Sequence, residues 1–188
     1  TEIGLKDDFI DRDLPVETIY FGGGTPSLLL PGELSQILES IHRHFVVATD
    51  AEITIEANPD DITRDVVAAW MHKGINRVSL GVQSFDDTEL RWMNRAHTGT
   101  HSRQSLNEIM EAGIGNISAD LIFGSPLQSE QSLVQNVQTM LSYGVPHLSC
   151  YALTVEPKTA LHKMIAVGKT PDADPEKQAM QFLMLMEM

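Results

Sequence analysis

The sequence predicts a parallel α/β fold, and three observations predict it. Short β-branched runs alternate with longer stretches of helical periodicity. The strand-like runs recur about every 30 to 35 residues, the length of a strand, a crossover helix and their loops. Each run also ends in glycine or a polar side chain, and parallel folds bind their ligands at the carboxyl ends of the strands. A (β/α) barrel and an open doubly wound sheet both satisfy this pattern.

The elements follow in order. Val16 to Phe21 reads as the first strand, and after Pro31, which suits a first helical turn, Leu34, Ile37, Leu38, Ile41 and Phe45 recur at helical spacing. Glu52 to Glu56 is the second strand; Thr63 then caps a helix carrying Val66, Val67, Trp70 and Met71, closed by Gly74. Arg77 to Val82 is the third, followed by a short helix from about Asp86 to Asn94 and another from about Ser102 to Ala112, which Gly113 ends. After Asn116, Ile117 to Ile122 forms the fourth, and Ser129 opens a helix with Leu133, Val137, Met140 and Leu141 on one face, stopped by Gly144. His147 to Tyr151 is the fifth. A loop and the turn Asp172-Ala173-Asp174-Pro175 then lead to an apolar terminal helix that runs to Met188 without a C-cap signal.

No linker or low-complexity tract divides the chain before that turn, so residues 1–188 read as a single domain, incomplete at both ends. The hydrophobic fraction of 42% supports one sizeable core. With 26 acidic against 13 basic residues the formal charge is -13, which repels phosphate backbones and excludes nucleic acid as a partner. No stretch approaches the roughly 20 apolar residues of a membrane span, and Thr1-Glu2-Ile3-Gly4 has no basic leader, so we expect a cytoplasmic protein without a membrane span.

The single cysteine, Cys150, excludes a disulfide framework and a Cys-rich metal site built from this chain, and reads as a small buried hydrophobe. Seven histidines form no ligand set. His42 and His44 point to different helix faces, and His97 and His101 flank Gly99 in an expected loop. The terminal Met-rich run, Phe182 to Met188, reads as a helix face lacking its packing partner rather than a haem pocket. No metal ligand and no catalytic residue is assigned.

Polar features at the strand ends carry the functional signal. They are Gly22-Gly23-Gly24-Thr25-Pro26, Glu56 with Asn58-Pro59, Gln83-Ser84-Phe85, Asp120 with Gly124, and Tyr151 with Thr154. Three glycines let a ligand approach the main chain closely, yet no phosphate-loop lysine and no dinucleotide fingerprint accompanies them, so a plain tight turn stays open. Glu56, Gln83 and Asp120 offer the acceptors and donor that suit an amino group and ribose hydroxyls, although each could also be a helix cap or an ion-pair partner. Arg95 is one of few cations near this edge and could pair with a carboxylate bidentately; Glu108 and Glu111 are alternative partners.

Six ordered segments carry a resemblance. Phe21-Gly22-Gly23-Gly24-Thr25-Pro26-Ser27, Ile55-Glu56-Ala57-Asn58-Pro59, Leu80-Gly81-Val82-Gln83-Ser84-Phe85, Asn94-Arg95, Asp120-Leu121-Ile122-Phe123-Gly124-Ser125-Pro126 and Leu153-Thr154-Val155-Glu156-Pro157 resemble radical SAM proteins related to oxygen-independent coproporphyrinogen III oxidase (dehydrogenase). The resemblance implies a partial (β/α)6 TIM-like barrel whose first strand is missing, with Thr1 to Leu14 ending its first helix. It implies S-adenosylmethionine (SAM) as cofactor: Gly23, Gly24 and Thr25 at its amino group, Glu56 near the methionine moiety, Gln83 and Asp120 on the ribose, Arg95 on the carboxylate and Thr154 beside the adenine. It further implies a [4Fe-4S] cluster on a Cys-x-x-x-Cys-x-x-Cys loop and an electron donor for it. That loop is absent here and is expected upstream, which would leave this fragment inactive in radical generation. The Glu-Ala-Asn-Pro and Leu-Thr-Val-Glu-Pro wording is closer to the haem-chaperone branch, with haem or a porphyrin as partner, than to the dehydrogenase that decarboxylates coproporphyrinogen III to protoporphyrinogen IX. An unrelated phosphosugar (β/α) enzyme is the remaining alternative.

Overall fold

The computed structural model describes residues 14–188 and Ile3, so the expectation for Thr1 to Leu14 falls almost wholly outside the described residues. Five strands form one sheet: β1 (Val16–Phe21), β2 (Val47–Ala57), β3 (Arg77–Gln83), β4 (Asn116–Phe123) and β5 (His147–Ala152). All four neighbouring pairs are parallel, and spatial order equals chain order. That order decides between the two expected architectures. A doubly wound sheet reverses its strand order part-way; this one does not, and it curls into half a barrel.

Side-chain alternation separates the two faces of the sheet. Ile19 and Phe21, Ile53 and Ile55, Val78, Leu80 and Val82, and Ile117, Ala119 and Leu121 all turn to one side and are buried. There they meet Leu34 and Leu38 of α1 (Pro31–His44), Val67 and Trp70 of α2 (Arg64–His72), Leu106 and Ile109 of α4 (Gly99–Ala112), and Val137 and Met140 of α5 (Glu130–Ser142). The intervening positions, such as Tyr20, Thr54, Glu56, Ser79, Asp120 and Ser149, face the concave side. A polar lattice fills its amino-terminal end: Arg77 lies 3.8 Å from Glu52 and donates to Thr54, and Asn116 donates to Glu52.

Local chemistry sets the helix boundaries. Thr63 accepts from the Val66 amide at the start of α2, and Ser129 accepts from the Ser132 amide at the start of α5. Gly113 ends α4 in the left-handed conformation with φ 104°. The short helix α3 (Asp87–Trp92) is capped by Asp86. Two boundaries differ from the sequence reading by three residues or more. β2 begins at Val47 because its first residue pairs with Val16 before an irregularity in the β1 ladder. α4 begins at Gly99, since the Thr98 hydroxyl caps it, so Gly99 and His101 are helical rather than in a loop.

His97 is buried, with Nε2 3.0 Å from the Val82 carbonyl, while His101 is exposed. A short helix, α6 (Ala160–Ala166), interrupts the expected loop after β5. The terminal α7 (Pro175–Met186) sits beside the tips of β4 and β5: Lys177 donates to the carbonyls of Ser125 and Pro126, and Gln178 to that of Leu153. Its Phe182, Leu183 and Met186 are exposed. No helix among the described residues is long and apolar enough to cross a membrane.

Leu106 is fully buried between α4 and the sheet. Leu106→Ala should therefore lower unfolding stability by about 2–5 kcal/mol, measured by urea denaturation; a smaller loss would mean the α4 side of the core is loosely packed.

Candidate functional site

The concave carboxyl edge is built from three backbone devices. Gly23 and Gly24, just after β1, have φ of 82° and 67°, and nothing lies within 4 Å of where their Cβ atoms would stand. The main chain is thus bare toward the cleft. At Gly22 the requirement is different: a Cβ would come within 2.7 Å of the Tyr20 ring and 3.1 Å of Glu56 Oε1. Its absence lets the Tyr20 hydroxyl donate to Glu56 Oε1 over 2.9 Å while the Gly23 amide donates to Oε2 over 3.1 Å.

The second device lies at the end of β3. The register with β4 breaks between Leu80 and Gln83. Gln83 then adopts φ 67°, and the Ser84 amide donates to the Val82 carbonyl over 2.8 Å, closing a three-residue γ-turn. Gly81 completes the third: a Cβ there would lie 2.9 Å from Gln83 Nε2. These features aim the buried Gln83 at the cleft.

One cleft of about 180 Å³ is lined by Gly24, Thr25, Glu56, Gln83 and Asp120, together with Asn58, Ser79 and Gly81. Gly23 joins its rim through Glu56. Arg95 and Thr154 line a neighbouring depression with Met93, Asn94, Ile122 and Glu156. The structure therefore gathers six of the eight expected residues at one spot and puts the other two beside it. Asn94 and its φ of 57° turn the chain toward Arg95 after α3.

Electrostatics mark the same edge. Burial pushes the Asp120 carboxyl above its ordinary range, the Ser149 hydroxyl pulls it back, and the Glu56 charge pushes it up further. Burial raises the Tyr20 phenol as well, with its hydrogen bond to Glu56 adding to the rise. Arg95 is lowered by burial, and the nearby negative charges of Asp120 and Asp60 oppose that. Burial also raises the half-buried Cys150 thiol, which sits on the helix-facing side of β5. A site with two close carboxylates and one guanidinium suits a ligand bearing both a cation and a carboxylate.

The family model described as Radical SAM superfamily matches residues 7–140. The chain belongs to this superfamily. It is 37% identical over 164 residues to the mouse protein called radical S-adenosyl methionine domain-containing protein 1, mitochondrial, covering 87% of this chain and 37% of the relative. It is 39% identical over 161 residues to heme chaperone HemW of Mycobacterium tuberculosis strain H37Rv, covering 85% of this chain and 41% of the relative. Among solved structures it resembles the Escherichia coli radical SAM enzyme coproporphyrinogen III oxidase (HemN), with a TM-score of 0.83 and 27% identity over 98% of this chain and 42% of that one. The chain thus spans about two fifths of the length of these relatives.

Membership implies SAM and a [4Fe-4S] cluster, and the residues treat the two groups differently. The bare glycine backbone and the polar cleft fit SAM. The cluster does not fit, because three thiolates are needed and the sequence contains one cysteine. Among the described residues no group of three or more His, Cys, Asp or Glu is placed to hold a metal. The phosphosugar alternative falls with membership, and Glu56 and Asp120 would repel a phosphate at this edge.

Sequence reading missed the buried polar cluster behind the cleft. Glu89, only 1% exposed, accepts from Ser84, Gln128 and Ser132. The sequence Asp86-Asp87-Thr88-Glu89 reads as a solvated first turn, and no local signal separates its carboxylates.

Because the folded state raises the Asp120 pKa, it favours the protonated form there. Asp120 thus supports folding below the ordinary carboxylate pKa and loses that support as pH rises through the raised value. Asp120→Asn should therefore raise Tm at neutral pH, with the gain fading in acid; calorimetric scans across pH check this, and a lower Tm at pH 7 would contradict it.

Proposed function

We propose that this chain is the SAM-binding core of a radical SAM haem chaperone. The observation that carries the reading is the convergence of Gly24, Thr25, Glu56, Gln83 and Asp120 on one cleft, in a chain of this superfamily. In this reading Glu56 and the backbone of Gly23, Gly24 and Thr25 receive the amino group. Gln83 and Asp120 hold the ribose, Arg95 pairs with the carboxylate, and Thr154 flanks the adenine.

The tasks of the chain's own residues follow from their chemistry. Glu56 is already doubly hydrogen-bonded, so it meets a cation without reorganising. Asp120, held partly dehydrated beside Ser149, offers a strong acceptor to a hydroxyl. Arg95 supplies a planar fork matched to a carboxylate. When bound, SAM supplies a sulfonium-linked adenosyl group. This chain supplies no thiolate set for a cluster, and no radical step is assigned to it.

Support for the chaperone branch comes from relatives at 39% identity that carry the name heme chaperone, and haem or a porphyrin is the partner proposed for the whole protein, alongside an electron donor. An acidic chain with one cysteine suits a reducing, cytoplasmic setting. A second reading, the oxygen-independent porphyrinogen dehydrogenase, is favoured by the likeness to HemN. Whole protein separates the two: the chaperone binds haem under reducing conditions, whereas the enzyme converts coproporphyrinogen III anaerobically.

For the chain itself, isothermal calorimetry should detect SAM binding that Glu56→Ala and Arg95→Ala each weaken about tenfold or more, in line with loss of a charged partner. Identical titrations for wild type and both variants would overturn the assignment.

A further inference from the structure

The turn at Gln83 is strained, and its strain has a buried cause. A non-glycine residue at φ 67° is unfavourable on its own and persists only where its surroundings over-determine it. Three buried polar side chains build or brace this turn, Ser84, Glu89 and Asn136, and Gln128 stands behind Glu89; each is 2% exposed or less. Ser84 Oγ donates to Glu89 Oε2 over 2.7 Å, and it accepts from Asn136 Nδ2 at 3.1 Å and from the Asp86 amide at 3.0 Å. Asn136 Oδ1 accepts from the Phe85 amide at 3.0 Å. The Val82 carbonyl, already bonded to the Ser84 amide, lies 3.0 Å from His97 Nε2.

Glu89 extends the arrangement to the next strand. Its Oε2 also accepts from Gln128 Nε2 at 3.0 Å, and its Oε1 from Ser132 Oγ at 2.6 Å. Gln128 in turn donates to the Ile122 carbonyl, and its Oε1 accepts from the Gly124 amide. One carboxylate therefore ties the tip of β3 to the tip of β4, on either side of the cleft wall formed by Gln83 and Asp120. Its hydrogen-bond partners among the described residues are all neutral. Such a buried charge is a poor source of stability compared with an apolar side chain of the same volume. Neither Ser84, Glu89 nor Asn136 lines the cleft.

We infer that Glu89, Ser84 and Asn136 are positioning residues for the ribose side of the SAM site: they hold the γ-turn that presents Gln83 and fix its register against the strand bearing Asp120. This rests on the reading of the cleft as a SAM site. They act through Gln83 and touch no ligand themselves.

The test is a pair of double-mutant cycles read by calorimetric SAM affinity, with thermal denaturation confirming that each variant is folded. Asn136→Ala and Glu89→Gln are each made alone and in a Gln83→Ala background; Glu89→Gln keeps the size of the side chain and provides a second route should Asn136→Ala fail to fold. Each should weaken SAM binding about tenfold in the wild-type background and by less than about twofold once Gln83 is gone, because the group they position is then absent. Equal losses in both backgrounds mean a general structural role and overturn the inference. So does a Gln83→Ala loss that neither Asn136→Ala nor Glu89→Gln reproduces, an outcome that leaves the SAM reading standing. A wild-type chain that binds no SAM overturns that reading and this inference with it.

Discussion

The whole site depends on strand register. In each strand the side chains alternate between an apolar face packed on helices and a polar face turned to the concave side, and a shift of one residue would exchange them. Burial of Ile55, Val78, Leu80, Ile117 and Leu121 against the helices makes such a shift costly. That same apolar burial dictates that Glu56, Ser79 and Asp120 emerge on the other side. The hydrophobic core thus positions the polar edge without any polar interaction having to do so.

Register cannot supply finer aim, and the carboxyl ends show what does. At the strand tips, the chain depends on glycines with positive φ, on the missing Cβ at Gly22 and Gly81, and on the strained turn at Gln83, where the β3–β4 register shifts. Here backbone conformations unfavourable on their own are offset by buried hydrogen bonds. The pattern is common at binding sites, where local strain is held by surrounding order. Glu56 illustrates the result: its two oxygens are fixed by a phenol from its neighbour strand and an amide from the glycine loop.

Much of this was legible in the sequence, for stated reasons. Helix caps such as Thr63 and Ser129 and stops such as Gly74, Gly113 and Gly144 are local signals, and local signals were enough to set the order of elements. The convergence of the strand ends followed from parallel topology alone. Other features were hidden because they are not local. Val47 joins β2 through its partner in β1, and Glu89 owes its burial to Gln128 and Ser132, some forty residues away. A carboxylate in a short helix gives no hint of such company. The γ-turn at Gln83 was likewise invisible, since glutamine is not a residue that favours positive φ.

Sequential strand order has a kinetic meaning. Every ladder among the described residues joins a strand to the one that follows it in the chain, so each pairing closes only the span of the one or two helices between them and their loops. Loop-closure entropy is modest at that span, and no early pairing has to wait for a distant one. Assembly can grow outward from any adjacent pair of strands, one βα unit at a time, and a unit joined at an edge leaves the existing ladders intact.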